Sequence, residues 1–153
     1  ELIADPKVKK IILKRDNLLM SFLSKLEAEK SGVFFETKDG KKAYQKPERI
    51  NFNYRHFRIY EQRNLKFFDE VENKIKFHGQ DYFTIEYQNI LNKDVLRELL
   101  VFLGVTPDPD LLEVRFRKQN QKKLEDRLSN YEEMLSQLKE KSCEKYLDPE
   151  HIA

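Results

Sequence analysis

The 153-residue chain contains little cysteine, histidine and glycine, and each shortage excludes a class of protein. Its one cysteine, Cys143, cannot form an internal disulfide, which fits a reducing compartment, so we expect a cytoplasmic protein. The three histidines and the cysteine are scattered without zinc-ligand spacing, and we expect no metal cofactor. The four glycines stand singly, so the chain has no glycine-rich loop of the kind that cradles phosphates.

Long apolar runs and an excess of one charge are also missing. No stretch approaches the about 18 consecutive apolar residues of a membrane-spanning helix, so we expect no transmembrane segment. Lys+Arg 29 against Asp+Glu 27 leaves a net charge of +2. Because affinity for nucleic acid comes from clustered positive charge, we expect no nucleic-acid partner. The 39% hydrophobic content and the length fit one globular domain with its own core.

The N-terminal part of the sequence predicts a buried strand followed at once by a helix. Residues 10–14 (KIILK) are apolar on both faces, which is typical of a buried strand in a parallel sheet. Asp16 or Asn17 can cap a helix that continues to about residue 31, and Gly32 stands where a C-terminal glycine belongs.

The remainder predicts helices with one more strand. Residues 36–50 are a polar loop, and Ser129 with Glu132 is a capping-box signature. The other predicted elements are a helix over 53–76, a strand over 81–87, a helix over 93–103 closed by Gly104 and a turn over 106–110. Two short strands are too few to carry these helices, because a parallel sheet normally has several strands and two covered faces. We therefore expect an N-terminally truncated chain.

A basic residue stands between the first strand and its helix. In open α/β sheets, ligands bind at the carboxyl ends of the strands, where helix N-termini point free N–H groups outward. Arg15 has this position and would offer its planar guanidinium to a phosphate. Either Ser21 or Ser24 of the helix would add a hydrogen bond. The alternative is a solvated arginine with serines that face water.

Four stretches, in order, resemble sulfotransferases that use 3′-phosphoadenosine 5′-phosphosulfate (PAPS). "KKIILKRDNLLMSFLSKLEAEKSGVF" resembles the family's 3′-phosphate-binding segment and is most similar to that of bacterial Nod-factor-type carbohydrate sulfotransferases. "YFTIEYQNILN" resembles the strand and turn that read YEDL in many members, and "LRELLVFLGV" resembles the helix after it. "RFRKQNQKKLEDRLSNYEEM" resembles the family's C-terminal signature.

The resemblance implies which residues contact the donor nucleotide. Arg15 and Ser24 match the ligands of its 3′-phosphate, because the register with "NLL" selects Ser24. The arginine-to-serine spacing is slightly longer than in the cytosolic members, so Ser21 stays open as the alternative.

Further nucleotide contacts are implied downstream. Tyr87 matches a tyrosine that lies near the adenine in parts of the family, although the two residues after it depart from the family's acidic pair. Lys118 and Arg117, in the C-terminal signature, match the basic segment that folds over the phosphates, with Arg127 as a further candidate.

The implied fold is a P-loop-type, three-layer αβα α/β fold, present as the helix-rich, strand-poor C-terminal part of a single domain over 1–153. The implied reaction transfers a sulfuryl group from PAPS to an acceptor hydroxyl, with a saccharide as the expected acceptor. The family's loop for the 5′-phosphosulfate has no counterpart here. We therefore expect the catalytic residues upstream of Glu1 and no activity of this fragment alone. His56 is the candidate base within the chain, and a homodimer would cover apolar surface left exposed.

An alternative function belongs to a different class. The aromatic face of residues 54–75 would serve a helical protein–protein interaction module as a partner groove or dimer seam, although such a stripe more often packs in the core. Its members are Tyr54, Phe57, Tyr60, Phe67 and Phe68. A sulfotransferase fragment should prefer adenosine 3′,5′-bisphosphate to 5′-AMP, whereas an interaction module should show no preference.

Overall fold

The computed structural model describes residues 2–33, 49–106, 108 and 123–147. The chain divides into two compact units. The first, the sheet unit, consists of Glu1–Asp16 and Arg63–Glu113, and the second, the helical unit, of Asn17–Gln62 and Val114–Ala153. Most of the predicted loop at 36–50 and of the turn at 106–110 lies outside the described residues.

The described part of the chain is mixed α/β and rich in helix. In chain order its elements are β1 (Lys10–Lys14), α1 (Leu18–Ser31), α2 (Tyr54–Phe77), β2 (Tyr82–Glu86), α3 (Lys93–Leu103), α4 (Leu124–Arg127) and α5 (Tyr131–Glu140). Short 3₁₀ turns cover Tyr87–Asn89 and Glu144–Leu147. The elements predicted between residues 10 and 104 are confirmed to within one residue at each end. No helix among the described residues is long and apolar enough to cross a membrane.

The sheet unit contains β1 and β2 as a parallel pair, with Lys10 opposite Tyr82 and Lys14 opposite Glu86. Alternate side chains of a strand point to opposite faces of the sheet. On one face, the Phe83 ring of β2 lies 5.7 Å from the Phe102 ring of α3, measured between centroids. The opposite face meets α2, as the contacts of Lys14 show. The unit therefore stacks a helix, a two-stranded sheet and a second helix.

The α2 side of the sheet is held by an ion pair. The Lys14 ammonium forms a salt bridge with the Glu72 carboxylate of α2. The same carboxylate accepts a hydrogen bond of 3.4 Å from the Tyr82 hydroxyl. One acidic residue of α2 thus contacts both strands at once.

The prediction that β1 is buried on both faces is wrong. Ile12 is buried at 5% exposure, whereas Ile11 and Leu13, on the α3 side, are each 45% exposed. The described sheet has two strands, so β1 pairs along one edge only. The contact of α3 through Phe102 covers part of that face and leaves the neighbouring apolar side chains half exposed.

The helical unit is built around α1, whose two ends have the predicted caps. The Asn17 side chain accepts a hydrogen bond from the Met20 backbone N–H at 3.0 Å. Gly32 ends the helix with φ +70°, a left-handed conformation in which glycine has no Cβ penalty. The Asn17 amide also donates to the Tyr146 carbonyl at 3.0 Å, so the cap anchors the C-terminal turn as well.

The core of the helical unit is a single apolar cluster. Aromatic rings from α1, α2 and the C-terminal turn lie at its centre, with Phe22 5.8 Å from Phe57 and Phe57 5.3 Å from Tyr146. The fully buried side chains are Leu19, Leu23, Phe57, Leu128, Met134 and Leu138. Ile50 and Leu128 form a parallel bridge, which joins the segment before α2 to the segment before α5.

The predicted capping box at the start of α5 is wrong. The N-cap position belongs to Asn130, one residue after Ser129. The Ser129 hydroxyl instead donates to the Ile50 carbonyl at 3.2 Å. The Asn130 side chain forms two hydrogen bonds with the Phe52 backbone. Its oxygen accepts from the Phe52 N–H at 2.8 Å, and its nitrogen donates to the Phe52 carbonyl at 2.9 Å. Both side chains are used to hold the distant segment 50–52, and this use replaces the local capping interaction.

Candidate functional site

The candidate site lies at the carboxyl end of the parallel pair in the sheet unit. Arg15 follows the last residue of β1, and Tyr87 follows the last residue of β2. The two strands are parallel with their last residues in register, so their ends meet at the same edge of the sheet. The Arg15 guanidinium carbon consequently lies 4.2 Å from the centroid of the Tyr87 ring. The resemblance implies each of these two residues separately as a nucleotide contact, and the fold brings their side chains into contact with each other.

The Arg15–Tyr87 contact has the geometry of a cation–π interaction, which extends to about 6 Å from the ring centroid. Tyr87 is 39% exposed, and Arg15 is half-buried. A guanidinium has five N–H donors in its plane, and stacking on a ring leaves the donors at its edge able to bind an anion. The arrangement can therefore hold a phosphate beside an accessible aromatic ring.

Lys14, the other cation at this end of β1, has a structural role. Its ammonium is bound by the Glu72 carboxylate, and this hydrogen bond raises the pKa of Lys14 above its usual value. The same interaction lowers the pKa of Glu72. Because the Lys14 charge is already neutralised, Arg15 is the better candidate for binding an anion.

Two acidic residues, Asp16 and Glu86, lie at the same end of the parallel pair. Glu86 is the last residue of β2, and Asp16 lies two residues beyond the end of β1. Burial, together with the Asp16 charge, raises the pKa of Glu86, and the nearby Lys14 opposes this shift. The Gln88 side-chain amide donates to the Asp16 carboxylate at 3.4 Å. Sequence reasoning missed this pair, because nothing local indicates that a residue after β1 meets the end of β2.

The two candidate serines belong to the helical unit and differ in their partners. The Ser21 and Tyr60 hydroxyls share a hydrogen bond of 2.7 Å, which ties α1 to α2. Ser24 is half-buried on the next turn of α1. Ser21 is therefore engaged in a tertiary contact, and the choice of Ser24 as the phosphate ligand stays a prediction.

The remaining predicted site residues are Arg117, Lys118, His56 and Arg127. Arg117 and Lys118 lie outside the described residues. His56 is exposed in the first turn of α2. Arg127 is buried at 4% exposure and donates two hydrogen bonds, of 2.8 and 2.9 Å, to the Glu27 carboxylate. Its assignment as a phosphate contact is therefore wrong, since its guanidinium is already bound by a buried carboxylate.

The aromatic face of α2 is divided between core and surface. Phe57 is fully buried, and Tyr54 and Tyr60 pack against the core of the helical unit. In the sheet unit, Phe68 is half-buried, whereas Phe67 is 58% exposed. Three of the five aromatic residues thus contribute to the core of the helical unit.

A second group that sequence reasoning missed surrounds Glu61 in the helical unit. Glu61 is only 3% exposed, and its carboxylate accepts hydrogen bonds from the Tyr146 hydroxyl and the Arg58 guanidinium. Burial and the Glu61 charge raise the pKa of Tyr146. The sequence does contain a signal for this group. Glu61 lies one helical turn after the core residue Phe57, and this spacing places it on the same face of α2.

Comparison of the chain with protein-family models, with curated proteins and with solved structures found no match.

Proposed function

We propose that the chain is part of a sulfotransferase that transfers a sulfuryl group from PAPS to an acceptor hydroxyl, with a saccharide as the expected acceptor. Arg15 binds the 3′-phosphate of the nucleotide, and the Tyr87 ring stacks near its adenine. Ser24 is the predicted second phosphate ligand, and Arg117 and Lys118 are the predicted contacts to the remaining phosphates.

The contact between Arg15 and Tyr87 is the observation that carries this proposal. These residues are far apart in sequence, and the resemblance implies each of them as a nucleotide contact through a different motif. Their side chains nevertheless lie 4.2 Å apart, measured from the guanidinium carbon to the ring centroid. They also lie at the carboxyl ends of parallel strands, where open α/β sheets bind ligands. A phosphate on the guanidinium and a base on the adjacent ring match the two ends of an adenosine 3′-phosphate.

In the proposed reaction, the acceptor oxygen attacks the sulfur of the donor while the bond from sulfur to the bridging oxygen breaks. A general base takes the acceptor's proton, and adenosine 3′,5′-bisphosphate leaves with the electron pair of the broken bond. By analogy with phosphoryl transfer, positioning and electrostatic stabilisation provide most of the rate acceleration. The role of Arg15 is to position the donor, because a fixed donor brings its sulfur into line with the acceptor.

Titration calorimetry with adenosine 3′,5′-bisphosphate and 5′-AMP tests the proposal. We expect the chain to prefer the bisphosphate, because only this nucleotide has the 3′-phosphate. Arg15→Ala should weaken bisphosphate binding by about 2 kcal/mol, the value of a charge-assisted hydrogen-bonded contact. Arg97→Ala is the matched control, because Arg97 is an exposed arginine of the same unit, paired with Asp94 on α3.

The Tyr87 ring is tested with two variants. Tyr87→Phe keeps the ring and should bind the bisphosphate like the wild type, whereas Tyr87→Ala should lose about 1 kcal/mol or more, the value of stacking one base. Equal affinity for the two nucleotides, or for wild type and Arg15→Ala, would contradict the proposal. Absence of any nucleotide preference is the result expected of a protein–protein interaction module.

A further inference from the structure

The strand β1 has an edge that is open to a further strand. It pairs with β2 along one side, and among the described residues no strand pairs with its other side. Alternate residues of such an edge direct their N–H and C=O groups outward, which makes the edge a template for an added extended segment. The side chains beside the edge define the chemistry that this segment needs.

Side chains at alternate positions along β1 and its two flanking residues form a stripe with an apolar centre and a cation at each end. This β1 stripe consists of Lys9, Ile11, Leu13 and Arg15. The two apolar members are each 45% exposed. The lysine is exposed, and its ammonium lies 5.0 Å from the centroid of the Phe102 ring of α3. The guanidinium carbon of the arginine lies 4.2 Å from the centroid of the Tyr87 ring.

The lysines on the opposite face of β1 are engaged within the sheet unit. The Lys10 ammonium donates to the Gln80 side chain at 3.1 Å, and the Lys14 ammonium forms the salt bridge with Glu72. Lysines on edge strands commonly prevent pairing with another chain. Because these two are held on the other face, the α3 side of the edge presents the apolar centre of the β1 stripe between its two cations.

We propose that the open edge of β1 binds an extended segment of a partner protein in which two apolar residues, at alternate positions, are flanked by acidic residues. When a strand is added to a sheet edge, main-chain hydrogen bonds provide affinity and alternate side chains provide specificity. The apolar residues of the partner lie beside Ile11 and Leu13, and its carboxylates lie beside Lys9 and Arg15. Opposite charges on neighbouring strands stabilise their pairing. The stripe has the same pattern in both directions, so it fits a parallel or an antiparallel segment.

A second copy of β1 does not fit this edge. The antiparallel register that aligns the two apolar centres places Lys9 of one copy opposite Arg15 of the other, and like charges directly opposite each other are destabilising. The charge of the β1 stripe therefore favours an acidic partner over self-association. The inference does not depend on the proposed function, because Lys9, Ile11 and Leu13 have no part in nucleotide binding.

Fluorescence anisotropy with two labelled peptides of the same composition provides the first test. The matching peptide, Thr-Glu-Thr-Val-Thr-Val-Thr-Glu-Thr, has the complementary pattern in both directions. The exchanged peptide, Thr-Val-Thr-Glu-Thr-Glu-Thr-Val-Thr, has the same charge but places its carboxylates beside the apolar centre. We expect the wild type to bind the matching peptide about fivefold more tightly or better, since each favourable cross-strand pair contributes up to about this factor. Equal affinities for the two peptides, or no binding of either, would overturn the proposal.

Lys9→Glu tests the charge at one end of the stripe. It should weaken binding of the matching peptide by about fivefold. Lys66→Glu is the matched control, because it makes the same change in net charge at an exposed position of α2. A third peptide, with lysine in place of one glutamate of the matching peptide, should bind Lys9→Glu more tightly than the matching peptide does. This recovery would show that the variant is folded. Equal losses in Lys9→Glu and Lys66→Glu would mean general charge attraction and would contradict the proposal.

Amide hydrogen exchange, followed by nitrogen-15 NMR, locates the bound peptide on the protein. The outward N–H groups of β1 should exchange rapidly in the free protein and slowly with saturating matching peptide, whereas those paired with β2 should exchange slowly in both samples. Slow exchange of the outward groups in dilute free protein would show that the chain itself covers the edge. Slow exchange that appears only in concentrated free protein would assign the edge to a second copy. Either result would overturn the proposal.

Discussion

At the scale of single residues, the buried ion pair between Arg127 and Glu27 is the clearest tertiary contact of the helical unit. Both side chains are buried, and two hydrogen bonds of 2.8 and 2.9 Å join them. Two parallel hydrogen bonds to a carboxylate are the strongest arrangement available to a guanidinium. The pair links α4 to α1, which lie a hundred residues apart in the sequence.

Removing one partner of this pair should be strongly destabilising, because the other charge is left buried. Arg127→Ala should lower the free energy of unfolding by about 3 to 5 kcal/mol, measured by urea denaturation. Lys25→Ala is the control, because the Lys25–Glu29 pair, at 2.7 Å, is half exposed on α1. This control should lose less than about 0.5 kcal/mol. Similar losses in both variants would show that the Arg127–Glu27 pair is not buried in solution.

Substitutions of the two serines of α1 should have different effects, one on stability and the other on nucleotide binding. Ser21→Ala removes the hydrogen bond to the Tyr60 hydroxyl and should lower the free energy of unfolding by about 1 kcal/mol without changing nucleotide affinity. Ser24→Ala should leave stability nearly unchanged and weaken bisphosphate binding by about 1 kcal/mol. Denaturation and calorimetry on the same samples measure both quantities. The reverse pattern would make Ser21 the phosphate ligand.

At the scale of elements, the ends of α1 show how local sequence sets helix boundaries. Asn17 satisfies a free N–H at the first turn, and Gly32 takes a positive φ at the last. A Cβ added at Gly32 would meet no atom within 4 Å. The requirement for glycine there is therefore one of backbone conformation and not of space.

Gly32→Ala should lower the free energy of unfolding by about 1 kcal/mol, the cost of a left-handed conformation for a residue with a Cβ. Gly32→Asn should lose less, because asparagine tolerates this conformation better. Thermal or urea unfolding of the three proteins provides the measurement. Equal stability of wild type and Gly32→Ala would mean that α1 ends without the left-handed cap.

At the scale of the whole molecule, the chain combines a parallel two-stranded sheet with a helical unit that has its own apolar core. Its net charge of +2 arises from nearly balanced acidic and basic residues. Stability should consequently respond to pH through particular pairs more than through overall repulsion. In the Lys14–Glu72 pair, which joins β1 to α2, each partner shifts the pKa of the other.

This pair should make stability depend on pH at both extremes. The lowered pKa of Glu72 means that its contribution is present above the usual glutamate pKa and is lost as the pH falls through the folded-state value. The raised pKa of Lys14 means that its contribution is present below 10.5 and is lost as the pH rises through the folded-state value. Glu72→Gln should therefore cost about 1 kcal/mol at pH 7 and progressively less as the pH falls below the usual glutamate pKa, measured by urea denaturation. A loss that stays constant across this pH range would contradict this assignment.

Local patterns predicted most of the secondary structure between residues 10 and 104, because periodicity and caps act within a few residues of one another. The bounds of β1 and α3 agree with the prediction, as do Asn17 and Gly32 as caps. Where the prediction was wrong, a distant partner competed with the local one. The Ser129 hydroxyl binds the Ile50 carbonyl and does not cap α5.

The candidate site was predictable in part. The sequence by itself determined that Arg15 follows a strand and that Tyr87 lies at the end of another, because strand ends are local features. Only the tertiary structure decided that these strands are parallel neighbours in register, which brings the guanidinium onto the ring. Likewise, Arg127 has the same chemistry as Arg15 in the sequence, yet it is bound by the buried Glu27 carboxylate. The physical reason is that hydrogen bonding and burial depend on which distant residue is nearby, and only the folded chain determines that.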